Sequence, residues 1–588
     1  MSLSVARSIA YSSLMATQVQ MSVASANVAN ADTDGYTVKT ANQSARVLGS
    51  AGAGVSITGI TSNVDKLLLR SIIEAAAELG AAETTAEYTD RVQALFGKVD
   101  GDDDTGTSIA NSIASLETAL LELSGTPESE SLQSVVVDAL DTLAGQLRDT
   151  SASIQNLRAD ADDEIEAKVQ EVNDALKTID DLNDAISRAS ALGQSTADLE
   201  DKRNTALESI SSLMDVTYFV ASTGRMQIYT TNGQALLDTT VHELSYDSAA
   251  KVTASTTYSA TPPSGFDAIS VDGKDITGQI KSGAIGALID LRDETLPAAQ
   301  AEMDELATEL ADSLNAVHNQ GTAMPPPNSL TGTTAVSATD AFSGSGSLRV
   351  AVTDQDGKLV SYQDIDLSAC STIGDVVDAI DAVDGLSATI TSDGYVQITA
   401  DDADQGVAIN EMDSAVGPDG QGVSDWLGLN DLVTATGASD FRVRADILSD
   451  TSLLATATLD DSTTLTTGDA VLAIGATGTA DGLYDTLTGS NTFDAAGRLS
   501  KTTSSFSSYA ADIVSANASA ASHAETKQSG KETAYNALSE AMSSQTGVNL
   551  DEETARVSEL ETLYEATATL MQVINDMFNS LIDMVEAA

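Results

Sequence analysis

Apolar residues recur every three to four positions at both ends of this chain. Val557, Leu560, Tyr564, Thr567, Met571, Ile574, Phe578, Leu581 and Val585 alternate steps of three and four without a slip, and only Thr567 is polar. A second row, Leu563, Leu570, Met577 and Met584, repeats every seven beside it. The spacing predicts an uninterrupted C-terminal helix whose apolar face is wider than a two-helix seam needs. It opens at Gly547-Val548-Asn549-Leu550-Asp551-Glu552-Glu553. Near the start, Leu14, Thr17, Met21, Ala24 and Val28 step in the same way, with Val5, Ile9, Ala16, Val19 and Val23 as a neighbouring stripe. Asp32-Thr33-Asp34-Gly35 then stops the helix with turn chemistry.

Between the ends the period changes several times. Residues 36–62 are rich in Gly and Thr and read as extended. Helical spacing runs from Val64 to Phe96 and from Ser108 to Met214, with a break at Pro127. Val216–Val220 and Met226–Tyr229 flank Ser222-Thr223-Gly224-Arg225 as a hairpin, and short strands continue to Ile280. A helix returns over 283–318, and Pro325-Pro326-Pro327 marks a stiff boundary. Beyond it, Leu348–Val352 alternates as a strand, Ile373–Ile380 reads as a short helix, and Ala388–Ile390 and Tyr395–Ile398 flank a turn at Asp393-Gly394.

The fold class expected is therefore multidomain α+β. Both chain ends form a long antiparallel helical bundle or coiled coil, with β-rich outer domains inserted. Residues 1–62 and 545–588 are terminal helices with an N-terminal linker. The helical bundle takes 63–214, 283–325 and 493–544. Middle-domain hairpins occupy 215–282, an outer α+β or β module 328–435, and a connecting segment 436–492. One seam against one other helix leaves little surplus over the entropy of ordering it. The two ends are thus expected to be disordered in the monomer and to order on assembly.

Composition narrows the partners. The 588 residues carry 28 Lys+Arg against 88 Asp+Glu, a formal charge of −60. That surface repels nucleic acid and anionic lipid, so neither is expected as a partner. A saline habitat, where dense carboxylates keep a protein hydrated, is one source of such a surface. Aromatics are only 4%, so Leu, Ile, Val and Ala build the cores. Cys370 is the one cysteine and reads as buried packing. No apolar run suits a cleaved signal or reaches the about 18 residues of a membrane span, so export, if any, takes a route without a cleaved signal peptide.

Chemistry is hard to find. His242, His318 and His523 lie far apart, and His318, at a helix end, reads as solvated or capping. No Ser-His-Asp arrangement, phosphate loop or zinc spacing is present. No catalytic, metal-binding or cofactor-binding residues are assigned, no cofactor is expected, and the chain reads as a non-enzyme. Asp100-x-Asp102-x-Asp104 imitates a calcium loop, but Thr105 stands where Gly is needed and Asn111 where Glu is needed. It reads as a solvated acidic loop. Trp426 reads as a core anchor of the outer module.

Ser25, Asn27, Ala29, Asn30, Thr33, Gly35 and Tyr36 match a Ser-x-Asn-x-Ala-Asn-x-x-Thr-x-Gly-Tyr signature. The segment resembles the rod, hook and hook-associated proteins of the bacterial flagellum. Val169, Val172, Asn173, Ile179, Leu182 and Asn183, then Asp198-Leu199-Glu200-Asp201-Lys202-Arg203, follow in the order expected of the hook–filament junction branch. So do Arg292-Asp293 and Asn315-Ala316-Val317-His318-Asn319-Gln320-Gly321. There are departures: Ala26 stands where Asn is usual, Val38 near a usual Arg, and Leu560, Glu561, Thr562 and Thr569 replace Tyr, Gln, Gln and Lys.

The resemblance implies a structural subunit, extracellular, at the hook–filament junction and needed for filament assembly. Flagellar type III export would carry it out, and a cytoplasmic export chaperone would hold its C-terminal helix. Its neighbours would be copies of itself, hook protein below and hook-associated protein 3 above. The terminal helices would form an inner tube, with Leu14, Met21, Asn27, Asn30, Gly35, Tyr36, Leu560, Tyr564, Met571, Ile574, Phe578 and Leu581 at the assembly interface. Rival readings are another axial protein, such as the hook protein or hook-associated protein 3, and a secreted surface adhesin.

Overall fold

A computed structural model describes residues 3–48, 51–97, 108–418 and 420–586. The acidic stretch Asp100–Asp104 lies outside them. The chain divides into two compact units: Met1–Tyr88, Ala159–Asp293 and Ser522–Ala588 in the first, and Thr89–Arg158 and Glu294–Ala521 in the second.

In the first unit, the N-terminal helix Leu3–Ala29 pairs with the C-terminal helix Leu550–Glu586. The pairing is antiparallel, because Arg7 lies over the Phe578 ring while Asn27 meets Glu553. Strands Lys39–Leu48 and Ala51–Ser62 form a hairpin with Lys39 opposite Ser62. It lies along the N-terminal helix, where Val55 N donates to Ser12 Oγ at 3.1 Å. A core joins Ile165, Val169, Val172, Leu176 and Ile179 of the long helix Glu130–Ala191 to Leu207 and Ile210, to strand residues Met226 and Ile228, and to Ile285 and Leu288.

Two asparagines on the long helix fasten the strands. Asn173 Nδ2 donates to the Leu244 carbonyl at 2.9 Å, and its Oδ1 accepts from Leu244 N at 2.8 Å. Asn183 makes the same two-point contact with Met226, at 2.9 and 2.8 Å. A carboxamide matches the donor and acceptor of a peptide group, so each replaces a missing neighbouring strand.

The second unit holds a helical core, from Ile113, Leu116 and Leu120 to Leu306, Leu310, Leu314, Phe493, Phe506 and Tyr509. It also holds the outer module. There, strand Ser347–Asp354 lies between Leu359–Asp366 and Gln405–Asn410, and Tyr395–Ala400 lies between Ser329–Ala335 and Leu386–Ile390. Helix Ile373–Asp381 covers this core behind a Thr372–Asp375 capping box. Trp426 packs edge-on against Phe342 in the same core, and Cys370 lies partly buried beside it.

Three expectations need correction. The helical bundle 63–214, 283–325 and 493–544 is not one domain: its helices divide between the units, and the Glu130–Ala191 helix contributes to both. An amphipathic period marks a face to bury without saying against what. Segment 436–492 is more than a connection. Phe441, Val443, Leu454, Leu483 and Leu487 enter the helical core, and Ala457, Leu459, Val471 and Leu472 make a small core with Leu359. Its apolar residues follow no single period, which hid them. The helix over 283–318 is interrupted by a π turn at Leu291–Thr295, which carries Arg292 into the interior. There Arg292 pairs with Asp162 at 2.9 Å and lies 4.2 Å from the Phe266 ring centre.

Candidate assembly interface

The seam between the terminal helices is built from small residues on one side and large ones on the other. Ala10, Ala16, Thr17 and Ala24 are buried on the N-terminal helix. Leu560, Thr567 and Ile574, spaced by seven, are buried on the C-terminal helix. Thr567 belongs in this row because its hydroxyl donates back to the Leu563 carbonyl at 2.7 Å. Val557, Tyr564, Met571 and Phe578 flank it half-buried, as do Leu14 and Met21 opposite.

A polar joint closes the end of the seam. Asn27 is fully buried. Its Nδ2 donates to Glu553 Oε2 and to the Lys39 carbonyl, both at 3.0 Å. Its Oδ1 accepts from Lys39 N and from Tyr36 OH, both at 3.0 Å. The Tyr36 ring lies 3.9 Å from Lys39 Nζ, and that ammonium pairs with the buried Asp201 carboxylate. Thr37 adds its backbone N–H, at 3.0 Å, and its hydroxyl, at 2.8 Å, to Asp201. Val38 N donates to the Thr546 carbonyl at 2.7 Å. Burial, then the charges of Asp198, Asp201 and Glu553, push the Tyr36 hydroxyl up to about 12, so it stays a donor.

The turn before the joint also obeys local chemistry. Asn30 Nδ2 donates to the Ala26 carbonyl at 2.8 Å, satisfying a helix-end acceptor. Gly35 has φ +71°, and a Cβ there would stand 2.4 Å from Thr205 Oγ1. Of the residues expected at the interface, Asn27 and Tyr36 are therefore joined within the chain. Gly35 and Leu581 are exposed. Lys39, Thr37, Asp201 and Glu553 complete the joint, and sequence reading gave them no such role. Asp201 and Glu553 each stand in a quoted motif, Asp198–Arg203 and Gly547–Glu553, and Lys39 carries no such signal.

The second apolar row stays uncovered. Leu563 is 47%, Leu570 52%, Met577 51% and Met584 64% exposed. Val573, between Leu570 and Met577 on the same face, widens it. Between the two helices, Gln20, Arg556, Glu559, Leu560 and Leu563 line an open groove of about 480 Å³. Among the described residues, no group of three or more His, Cys, Asp or Glu side chains is placed to hold a metal ion. No helix among them is long and apolar enough to cross a membrane.

His318 is the other correction. It is fully buried rather than solvated or capping. Nδ1 meets the Asn430 carbonyl at 2.5 Å, and Nε2 accepts from Ala455 N at 2.9 Å. Burial holds its pKa down at about 4, so the ring is neutral at pH 7.

The model of the flagella basal body rod protein family matches residues 8–37, the N-terminal helix and its turn. The model described as the flagellar hook-associated protein FlgK helical domain matches residues 99–332. Flagellar hook-associated protein 1 of Escherichia coli K12 is 25% identical over 602 residues, spanning 98% of both chains. The chain is similar to flagellar hook-associated protein 1 over almost its whole length. Proteins of that kind are structural and not enzymatic. Hook-associated protein 1 of Bacillus subtilis 168 is 25% identical over 340 residues, 52% of this chain and 66% of the relative. That of Salmonella typhimurium LT2 is also 25% identical, over 53% of this chain and 56% of its own. Among solved structures, the flagellar hook junction protein FlgK from Burkholderia pseudomallei superposes with a TM-score of 0.50 at 16% identity. The match covers 80% of this chain and 99% of that one, and it shows the hook-associated protein 1 fold.

Proposed function

We propose that this chain is a structural subunit of the bacterial flagellum, joining hook to filament, and that it assembles through its paired terminal helices. One observation carries the reading. The row Leu563, Leu570, Met577 and Met584 runs beside a seam already filled by the chain's own N-terminal helix, and each of its residues is left 47–64% exposed. A contiguous apolar row of that length asks for another helix. Copies of the same chain supply it, with the terminal helices as an inner tube and the β modules outward.

On this reading, hook protein lies below and hook-associated protein 3 above. An export chaperone covers the C-terminal helix before secretion, which proceeds by flagellar export without a cleaved signal peptide. The free subunit's ends are disordered until assembly. The test is a gene deletion viewed by electron microscopy, with the medium assayed for flagellin. Bare hooks and flagellin lost to the medium are expected. Normal filaments, in a strain with no second copy of the gene, overturn the reading.

A further inference from the structure

The helix that offers the apolar row is also acidic. Between Leu550 and Glu586 its one cation is Arg556, which faces Glu553 at 3.6 Å. Glu559 sits one turn before Leu563 in the apolar row itself. Glu561, Glu565, Asp576 and Asp583 lie exposed around the rest of the helix. On the N-terminal helix the sole charged residue is Arg7, and it lies 5.6 Å from the Phe578 ring centre within its own chain. Neither helix therefore brings cations to match a neighbour's carboxylates. The chain as a whole adds a formal −60.

Two length scales govern how strongly neighbouring copies repel. A helix with its side chains is about 10–12 Å across. The screening length is about 10 Å at 0.1 M salt and about 3 Å at 1 M. Two copies packed row to row stand about one screening length apart at 0.1 M and about three to four apart at 1 M. Apolar burial along the row favours contact at either salt, so the Coulomb repulsion sets the balance.

We propose that self-association through the Leu563–Met584 row is gated by counter-cations, which must screen the carboxylates of the C-terminal helix before copies can meet. This rests on the reading that a second copy covers the row. The row supports that occupant because it runs beside the Leu560–Thr567–Ile574 seam with the same seven-residue spacing, and that seam is filled by a helix of this same chain. Screening is diffuse and needs no bound-ion site. Sodium and potassium act alike, and a divalent cation acts at lower concentration.

Sedimentation velocity of the full-length chain, in NaCl and in KCl, tests this. Monomer is expected at about 0.1 M and assembled species at about 1 M. A variant with Glu559→Gln, Glu561→Gln, Glu565→Gln, Asp576→Asn and Asp583→Asn should reach half-association at a salt concentration at least about twofold lower. A midpoint that these changes leave in place overturns the gate, because it assigns the salt effect to strengthened apolar burial. Equal association at low and high salt also overturns it, while sparing the self-association reading. A chain that is monomeric at every salt removes both. Leu570→Ser with Met577→Ser should keep the chain monomeric throughout; association that survives places the interface elsewhere and ends the proposal.

Discussion

Asn27 donates its side-chain amide to the Glu553 carboxylate at 3.0 Å, across 526 positions of sequence. The same amide group serves the backbone of Lys39 on both its donor and acceptor sides and receives the Tyr36 hydroxyl. One buried side chain thus fixes where the N-terminal helix ends, where the hairpin begins and where the C-terminal helix starts.

Asn27→Ala should loosen all three. It leaves the Lys39 N–H and the Glu553 carboxylate buried without this partner, at about 1–3 kcal/mol for each orphaned group. In the assembled subunit, hydrogen exchange should quicken in residues 37–46 and 550–560, with the outer module 329–416 unchanged. Unaltered protection around Lys39 would show that the joint adds nothing to stability.

The clasping asparagines should act locally in the same way. Asn183→Ala removes both hydrogen bonds to Met226 and one from Arg203, whose Nη1 donates to Asn183 Oδ1 at 3.0 Å. A loss of about 2–4 kcal/mol is expected from these buried partners, measured by urea unfolding of the folded chain. A value under about 0.5 kcal/mol, below the net worth of one hydrogen bond, would mean that water replaces the carboxamide without cost.

The free subunit should be trimmed at its ends first. Limited proteolysis of verified monomer should cut within 1–62 and 545–588 before it cuts 108–214, since an uncovered apolar row gives the terminal pair little cooperative support. Ends that resist while the long helix is cut would rule out their disorder in the monomer.

His318 should make the second unit acid-sensitive. Its folded pKa, about 4, lies below the ordinary value of 6.5. Between pH 6.5 and 4 the unfolded chain binds the proton and the folded chain does not. Its contribution, roughly 3 kcal/mol by linkage, is complete above pH 6.5 and disappears as pH falls to 4. Asp425 has the opposite sign. Burial, then the charges of Asp431, Glu411 and Asp312, raise its carboxyl to about 6, so it favours the folded state increasingly as pH falls from 6 toward 4. Asp425→Asn should therefore raise the thermal midpoint at pH 7, with the gain shrinking by pH 5. His318→Asn should flatten the decline between pH 6.5 and 4. Unchanged slopes in both variants would refute these assignments.

The motifs recognised in the sequence are explained by what they touch. Asn173 and Asn183 appeared as members of a helical pattern; the structure shows that they are matched to single strand residues, Leu244 and Met226. In Asn315-Ala316-Val317-His318-Asn319-Gln320-Gly321, Asn315 Oδ1 accepts from Leu432 N and Val433 N at 2.9 and 3.0 Å. Asn319 Oδ1 accepts from Ser424 Oγ and Asn430 N at 2.8 and 2.9 Å. A run at a helix end thus laces together a loop more than a hundred residues on. None of these partners is signalled by spacing.

By itself the sequence determined the long helices, the hairpins at 216–230 and 386–400 and the two apolar rows of the C-terminal helix, because those depend on periods of two, three and four residues that any short window displays. Tertiary structure alone decided that Asn27 meets Glu553, that Lys39 is buried on Asp201, that His318 is enclosed and neutral, and that the chain divides after Tyr88 and Arg158. The physical reason is one of range. A buried polar group must find its partner wherever the fold brings one, and a single polar residue has no period from which that partner can be read.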